Sequence, residues 1–185
     1  EPMLIAIENE NIDFANMLLQ NGVNIQSSRR AYLNYAAKYN IPESIKWLAK
    51  DYNINEEDYS HKTVLYEAVE NGSLEAAGIL IELGANVNAL DASKREPLYF
   101  AVKNENIEMS RLLIEKGANI NNVSEGGETV KRIAVKQHNL EMIELLFSLD
   151  NFNINRNLWY ANGDVKTITL LIKLGADINS FYSDY

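Results

Sequence analysis

A period of 33 residues within residues 63–121 is the feature that most constrains how this chain can fold. Five positions recur at that offset: Leu65 and Leu98, Ala68 and Ala101, Leu74 and Ile107, Gly84 and Gly117, and Asn88 and Asn121. A fixed period of this size is typical of stacked supersecondary units, each of which contacts only its neighbours. The sequence therefore predicts a repeat protein whose core is a strip extended from unit to unit.

A second pattern extends the repeat over the whole chain. An aliphatic residue is followed, ten positions later, by a residue suited to ending a helix in six pairs: Ile12/Gly22, Ile41/Asp51, Leu74/Gly84, Ile107/Gly117, Leu140/Asp150 and Val165/Gly175. Glycine takes the left-handed conformation at a helix end without steric cost, so the two aspartates predict altered turns. We predict one array with repeats at about residues 1–25 (partial), 26–57, 58–90, 91–123, 124–156 and 157–185 (shortened).

Each repeat should contain two helices. Between the paired residues, apolar side chains recur at helical spacing and define a second helix. A first helix precedes it, with its buried side marked by Leu4/Ala6, Leu33/Ala36, Leu65/Ala68, Leu98/Ala101 and Ile133/Ala134. We expect Thr63 and Thr129 to cap first helices, and the starts at Glu1 and Glu96 to be weaker. Residues 26–30, 56–62, 89–95 and 122–128 are polar, turn-forming segments that predict hairpin loops.

Composition and motifs exclude several classes of function. The net charge is −9 and cysteine is absent, so we expect no nucleic-acid partner, disulfide or thiolate site. No apolar run is long enough to span a membrane. The two histidines, His61 and His138, fall more than two repeats apart and no catalytic motif is present. A calcium-like run, Asp51 to Glu57, lacks the glycine and the closing glutamate of such a loop. We expect no metal, no cofactor and no enzymatic activity.

The repeated segments carry a family resemblance. TVLYEA, EPLYFA, EPMLIA and ETVKRIA, each followed by GANVN, GANIN, GVNIQ or GADIN, resemble the Thr-Pro-Leu-His-x-Ala and Gly-Ala-Asp-Val-Asn signatures of ankyrin repeats. The resemblance implies an all-α solenoid of about six stacked helix-turn-helix units with short hairpin loops and a shortened last repeat. It further implies a concave surface, lined by hairpin tips and first helices, that binds other proteins. We expect a monomer that binds a protein or peptide.

Departures from the signatures bear on what holds the repeats together. The signature histidine is replaced by Leu4, Asn34, Tyr66, Tyr99 and Arg132, so its hydrogen bonds between neighbouring repeats are in question. Lys131 stands where a buried leucine is usual, and either its stem extends to solvent or the helix start shifts.

Placed on the family's frame, two rows of residues line the inner surface. The hairpin row is Arg30, Lys62, Arg95 and Glu128, and the inner row is Glu8, Lys38, Glu70, Lys103 and Lys136. Together they carry a net charge of +3 in a chain of net charge −9. We therefore expect an acidic partner, with the alternative that these charges only solvate the face. The candidate partner-binding residues are Arg30, Lys38, Tyr39, Tyr59, Lys62, Leu90, Arg95, Lys103, Val123 and Lys136.

Other interpretations stay open at this point. The chain begins at Glu1 inside a repeat, which suggests a fragment that could target a larger enzyme or effector, or serve as a structural spacer or self-associating element. In the family, an asparagine with leucine eight positions earlier can be hydroxylated; Asn88, Asn121 and Asn179 fit, although we favour a structural role in turns. Trp159 and Tyr160 either fill the defect of the short repeat, which we favour, or form a docking point. Residues 181–185 open another repeat or fold back as a cap. The sequence does not determine the cell compartment, although the resemblance favours the cytoplasm.

Overall fold

The computed structural model describes residues 1–179, which contain twelve α-helices, one short 3-10 helix and no β-strand. The predicted cap at residues 181–185 lies outside this range. The helices are α1 (Pro2–Glu8), α2 (Ile12–Gln20), α3 (Arg29–Lys38), α4 (Pro42–Ala49), α5 (Val64–Glu70), α6 (Leu74–Glu82), α7 (Pro97–Lys103), α8 (Ile107–Glu115), α9 (Val130–Lys136), α10 (Leu140–Leu149), α11 (Ile154–Asn157) and α12 (Val165–Lys173), with the 3-10 helix at Leu158–Ala161.

The helices stack as the repeat pattern predicts. Successive first helices α1, α3, α5, α7 and α9 pack on one another, and each packs on the second helix of its own pair. In the last unit, α11 and the 3-10 helix replace the first helix. The small residue at each close approach is fully buried: Ala6, Ala36, Ala68, Ala101 and Ala134. The prediction of an all-α stack with a shortened last unit is confirmed.

The structure corrects three details at the start of the chain. Met3, not Leu4, occupies the buried position of α1. In the second unit Ile41 is the N-cap of α4 rather than its first residue, and α4 is one residue shorter than α6. Arg30 lies inside α3 instead of in a hairpin loop. This helix starts early because Ala31 and Tyr32 replace the Thr-Pro start signal, and arginine and alanine favour helix.

The aspartates at helix ends behave differently from each other. Asp51 takes the left-handed conformation, with φ of 58°, as Gly84 and Gly117 do at φ of 93° and 91°. Asp150 avoids it and is extended, with φ of −161°. The left-handed turn in that unit moves to Asn153, at φ of 62°. The predicted alteration is confirmed at Asp150, where it frees the carboxylate for another contact, but Asp51 keeps the left-handed turn of the glycine repeats.

Capping at the first helices is only partly as predicted. The backbone N–H of Arg132 donates to Thr129 Oγ1 at 3.2 Å, which confirms that cap. Thr63 makes no such bond, and its buried hydroxyl oxygen has no hydrogen-bond partner, so the prediction for Thr63 is wrong. The side chains of Glu1 and Glu96 make no cap hydrogen bond, as expected for the weaker starts of helices α1 and α7.

Tyr66 takes over the bonding expected of the signature histidine. Its hydroxyl lies 2.6 Å from the carbonyl oxygen of Ala89 and 2.8 Å from that of Arg95, at the two ends of the hairpin loop 89–95 that leads into the next unit. Its ring meets that of Phe100 edge-on at 5.6 Å between centroids. Because the side chain is fully buried, desolvation raises the pKa of the Tyr66 hydroxyl, which stays a donor.

We expect Tyr66→Phe to lower the free energy of unfolding by about 1–2 kcal/mol, because the carbonyls of Ala89 and Arg95 lose the hydroxyl proton that they share. Tyr39→Phe is the matched control, since the Tyr39 ring is exposed and its hydroxyl makes no hydrogen bond within residues 1–179. The control should stay within about 0.5 kcal/mol of wild type in urea denaturation. Equal effects of the two substitutions would contradict the bonding role of Tyr66.

Asparagine side chains form a second set of ties between units. Asn88 Nδ2 donates to the Gly117 carbonyl at 3.0 Å, and its Oδ1 accepts from the Asn119 N–H at 2.9 Å. Asn55 bonds Gly84 and Asn86 in the same way. These bonds support the structural interpretation of Asn88, and its hydroxylation stays a hypothesis. Sequence reasoning missed Asn55, although it ends an Asn-Ile-Asn run at the same place in its repeat.

Candidate partner-binding face

The inner row is a structural feature as well as a sequence pattern. The first helices α1, α3, α5, α7 and α9 end at its five members, Glu8, Lys38, Glu70, Lys103 and Lys136. The carbonyls that end a helix carry a partial negative charge, which favours cations there. The lysines suit this position, whereas Glu8 and Glu70 need a partner. Each has one, since the Tyr35 hydroxyl donates to Glu8 at 2.5 Å and Lys62 pairs with Glu70 at 2.5 Å.

The next unit holds the backbone of the inner row. Ser73 Oγ donates to the Lys38 carbonyl at 2.7 Å, Asn104 Nδ2 to the Glu70 carbonyl at 3.1 Å, and Gln137 Nε2 to the Lys103 carbonyl at 2.8 Å. Each bond joins residues more than thirty positions apart in the sequence. The row is therefore fixed in position before any partner arrives.

Two arginines of the hairpin row bond to the protein itself. The Arg30 guanidinium donates to the carbonyls of Glu56 and Lys62 at 2.7 and 2.8 Å, tying α3 to the next hairpin. Arg95 donates from Nε and Nη2 to one carboxylate oxygen of Asp91, at 2.8 and 2.6 Å. Burial alone would raise the pKa of Asp91, but the Arg95 side chain and backbone N–H groups hold it below its ordinary value. Both arginines therefore stabilise hairpin loops through these hydrogen bonds.

The other two charges of the hairpin row pair with the inner row. Lys62 lies over the Phe100 ring at 4.8 Å as well as pairing with Glu70. Glu128 accepts from the Tyr99 hydroxyl at 3.0 Å and pairs with Lys136 at 3.4 Å. The hydrogen bond from Tyr99 contributes most to lowering the pKa of Glu128, and the contact with Lys136 lowers it further. Ion pairing therefore neutralises Lys62 and Lys136.

Lys38 and Lys103 are left with their charge uncompensated. Both side chains are exposed, and neither ammonium group makes an ion pair or hydrogen bond within the described residues. The Lys38 ammonium lies 5.3 Å from the Tyr39 ring, and that of Lys103 lies 5.9 Å from the Tyr99 ring. Of the six basic candidates, these two offer a free positive charge to a partner.

The apolar candidates are exposed but scattered. Tyr39 is 56% exposed and packs on Tyr35, with ring centroids 4.5 Å apart. Tyr59 is fully exposed in a hairpin closed by the Asp58 N–H bond to the Lys62 carbonyl. Leu90 and Val123 are exposed at equivalent places within the next two hairpin loops. Only Tyr39 among them lies against a charged candidate, Lys38.

The partner-binding candidates left out three residues that flank the row, Tyr35, Tyr99 and Arg132. Tyr99 and Arg132 stand four positions before Lys103 and Lys136, and Tyr35 stands four before Tyr39. Residues four apart share one face of a helix, so this spacing was an available signal.

The interpretation of the aromatic pair in the short repeat needs correction. Trp159 is 71% exposed, so it does not fill the defect; the buried residues there are Leu158 and Ala161. Tyr160 is half-buried, with the Arg132 guanidinium 4.2 Å and the Lys136 ammonium 5.8 Å from its ring. The 3-10 helix turns Trp159 outward because its side chains follow a tighter spiral than those of an α-helix.

The remaining acidic and histidine side chains of residues 1–179 do not form a metal site. No group of three or more His, Asp or Glu side chains there could hold a metal ion. Asn55 of the calcium-like run bonds the next unit, and His61 pairs with Glu57 at 2.7 Å. None of the helices over these residues is long and apolar enough to cross a membrane.

Comparison with known proteins adds one finding. A family model described as ankyrin repeats in three copies matches residues 33–124 and again residues 65–158. The two matches overlap and together cover more than half of the chain. No curated protein matches the chain.

Proposed function

The chain belongs to the ankyrin-repeat family, and from this premise we propose that it is a non-catalytic module that binds an acidic protein or peptide on the face formed by the inner row. Ankyrin repeats are generally protein–protein interaction modules and are typically without catalytic activity. The proposal adds the face and the chemistry of the partner.

One observation supports the proposal above the others. Lys38 and Lys103 are exposed and make no ion pair, whereas Lys62, Arg95 and Lys136 are each paired with a carboxylate. Elsewhere the chain is strongly acidic, so an acidic partner is repelled from the rest of the surface and attracted here. The Tyr39 ring beside Lys38 adds an exposed aromatic contact of the kind that interface hot spots favour.

We expect the pair of substitutions Lys38→Glu and Lys103→Glu to weaken partner binding about tenfold or more and to reduce its salt dependence. Lys116→Glu combined with Lys173→Glu is the matched control, because both are exposed lysines at the ends of second helices, α8 and α12, and the pair carries the same charge change. Partners would be captured from a lysate of the source cells with wild type, and their affinity for all three proteins then measured by biolayer interferometry.

Lys62 and Arg95 are unsuitable for this test, because reversing them breaks the ion pairs with Glu70 and Asp91 and disturbs the hairpins. Partners that bind the doubly reversed protein as tightly as the control would show that the face is only a solvated surface.

A further inference from the structure

We propose that the partner presents an extended segment with two acidic side chains about six residues apart, one at Lys38 and one at Lys103, and no charge midway. The inference rests on the proposed function and specifies the chemistry of the ligand for the same face. It follows from the spacing of the free lysines, the charge between them and the rigidity of the row.

The spacing comes from the stack of first helices. Lys38 ends α3 and Lys103 ends α7, with α5 packed between these two helices. Axes of packed helices lie about 8–10 Å apart, so the two ammonium groups are separated by about 16–20 Å along the stack. An extended chain advances about 3.3 Å per residue and therefore covers this distance in about five to six residues. An even number is required, because alternate side chains of an extended chain point to the same side.

The charge between the lysines determines the middle of the segment. Glu70 ends α5 midway along the row, and Lys62 neutralises it at 2.5 Å, while the Lys62 ammonium also lies over the Phe100 ring. A charged ligand side chain here gains no attraction from the neutralised pair, since an acidic one would have to displace Glu70 from Lys62 and a basic one would have to displace Lys62 from Glu70. Uncharged residues fit best.

Rigidity makes the spacing selective. The carbonyls of Lys38 and Lys103 accept hydrogen bonds from Ser73 and Gln137, so the helix ends that carry the two lysines are fixed relative to the next unit. A fixed pair of charges favours one ligand spacing, whereas mobile charges would adapt to several. The aliphatic stems of the two lysines retain some freedom, which broadens the optimal spacing of the two acidic ligand residues by about one residue.

The test uses synthetic peptides of glycine, serine and asparagine that carry two glutamates about two, six or ten residues apart, all even spacings. Binding would be measured by fluorescence anisotropy at low ionic strength, where exposed charges interact most strongly. We expect the middle spacing to bind at least about fivefold more tightly than either other peptide. Lys38→Glu or Lys103→Glu alone should abolish this preference, while Lys116→Glu should retain it.

The outcomes separate this inference from the proposed function. Equal affinity of the three peptides, or a preference that survives Lys103→Glu, would overturn the spacing, even if cellular partners still require both lysines. Cellular partners that bind without either lysine would overturn the proposed function itself. Circular dichroism of each variant would confirm that the helices are intact, as expected for exposed positions.

Discussion

Replacing Glu96 with threonine is expected to raise the free energy of unfolding near pH 8 by about 2 kcal/mol or more. Glu96 is the N-cap residue of α7, is only 6% exposed and makes no cap bond with its side chain. Burial raises the pKa of its carboxyl to about 7. Threonine removes the buried acid and supplies a hydroxyl that can accept from the first turn, as Thr129 does in α9.

The effect should depend on pH in a defined direction. In the unfolded chain Glu96 loses its proton near the ordinary value of 4.5, whereas in the folded protein it keeps the proton up to about pH 7. Between these values the folded state binds more protons, so this residue lowers stability progressively as the pH rises from about 4.5 to 7. Above that range its whole cost, on the order of 2 kcal/mol, is present.

Urea denaturation at about pH 5, 6, 7 and 8 would measure this dependence in wild type, Glu96→Thr and Glu96→Gln. Glutamine is the matched control, because it removes the ionisation and keeps the size without providing a good cap. In both variants the free energy of unfolding should no longer fall with rising pH through the ionisation of residue 96. Only the threonine variant should gain the added stability of the helix cap. A wild-type profile parallel to that of the glutamine variant would contradict the raised pKa.

The second large effect concerns Lys131, which is 3% exposed at the position of a usual leucine. Its ammonium nitrogen lies 3.1 Å from a carboxylate oxygen of Asp150 and 3.1 Å from Asn121 Oδ1. Asp150→Ala leaves a buried charge with one neutral acceptor and should lower the thermal midpoint by roughly 5 °C or more. Lys131→Met should leave the midpoint unchanged or raise it, because Asp150 can be solvated.

The double variant Lys131→Met/Asp150→Ala distinguishes this pair from other contacts of Asp150, which also accepts from the Phe152 N–H at 2.9 Å. In the methionine background, Asp150→Ala loses only that turn contact and the hydrogen bond that Asp150 accepts from Asn121 Nδ2 at 2.9 Å, and it should cost less than in wild type. Scanning calorimetry on all four proteins would give the coupling between the two residues. Additive effects would mean that Asp150 does not stabilise the buried ammonium group.

Much of the fold was predictable from the sequence because it depends on local pattern. The 33-residue period, the apolar spacing of α6 and α8, and the alanines at close approaches each specify an element or a contact by position alone. The errors fall where a local signal was missing or overridden. Without a Thr-Pro start, α3 extended over Arg30, and the short final unit turned Trp159 outward.

The candidate face was predictable only as a set of positions. The alignment of repeats placed Lys38 and Lys103 in the inner row and Lys62 in the hairpin row. It did not show which of these lysines is neutralised by a carboxylate. Lys62 is paired eight positions along the chain with Glu70, whereas Lys103 has no carboxylate within reach in the described residues. The positive charge counted from the sequence positions of the two rows is therefore larger than the positive charge that remains on the face after ion pairing.

By itself, the sequence determined the helical repeats, their stacking and the rows of residues on the inner face, because helix periodicity and repeat period act through neighbours along the chain. Only the tertiary structure decided which charges are free and how Lys131 is accommodated. Ion pairs and hydrogen bonds form over a few ångströms between side chains that are far apart in sequence, as Lys131 and Asp150 are. Their energies depend on the packed positions of both partners.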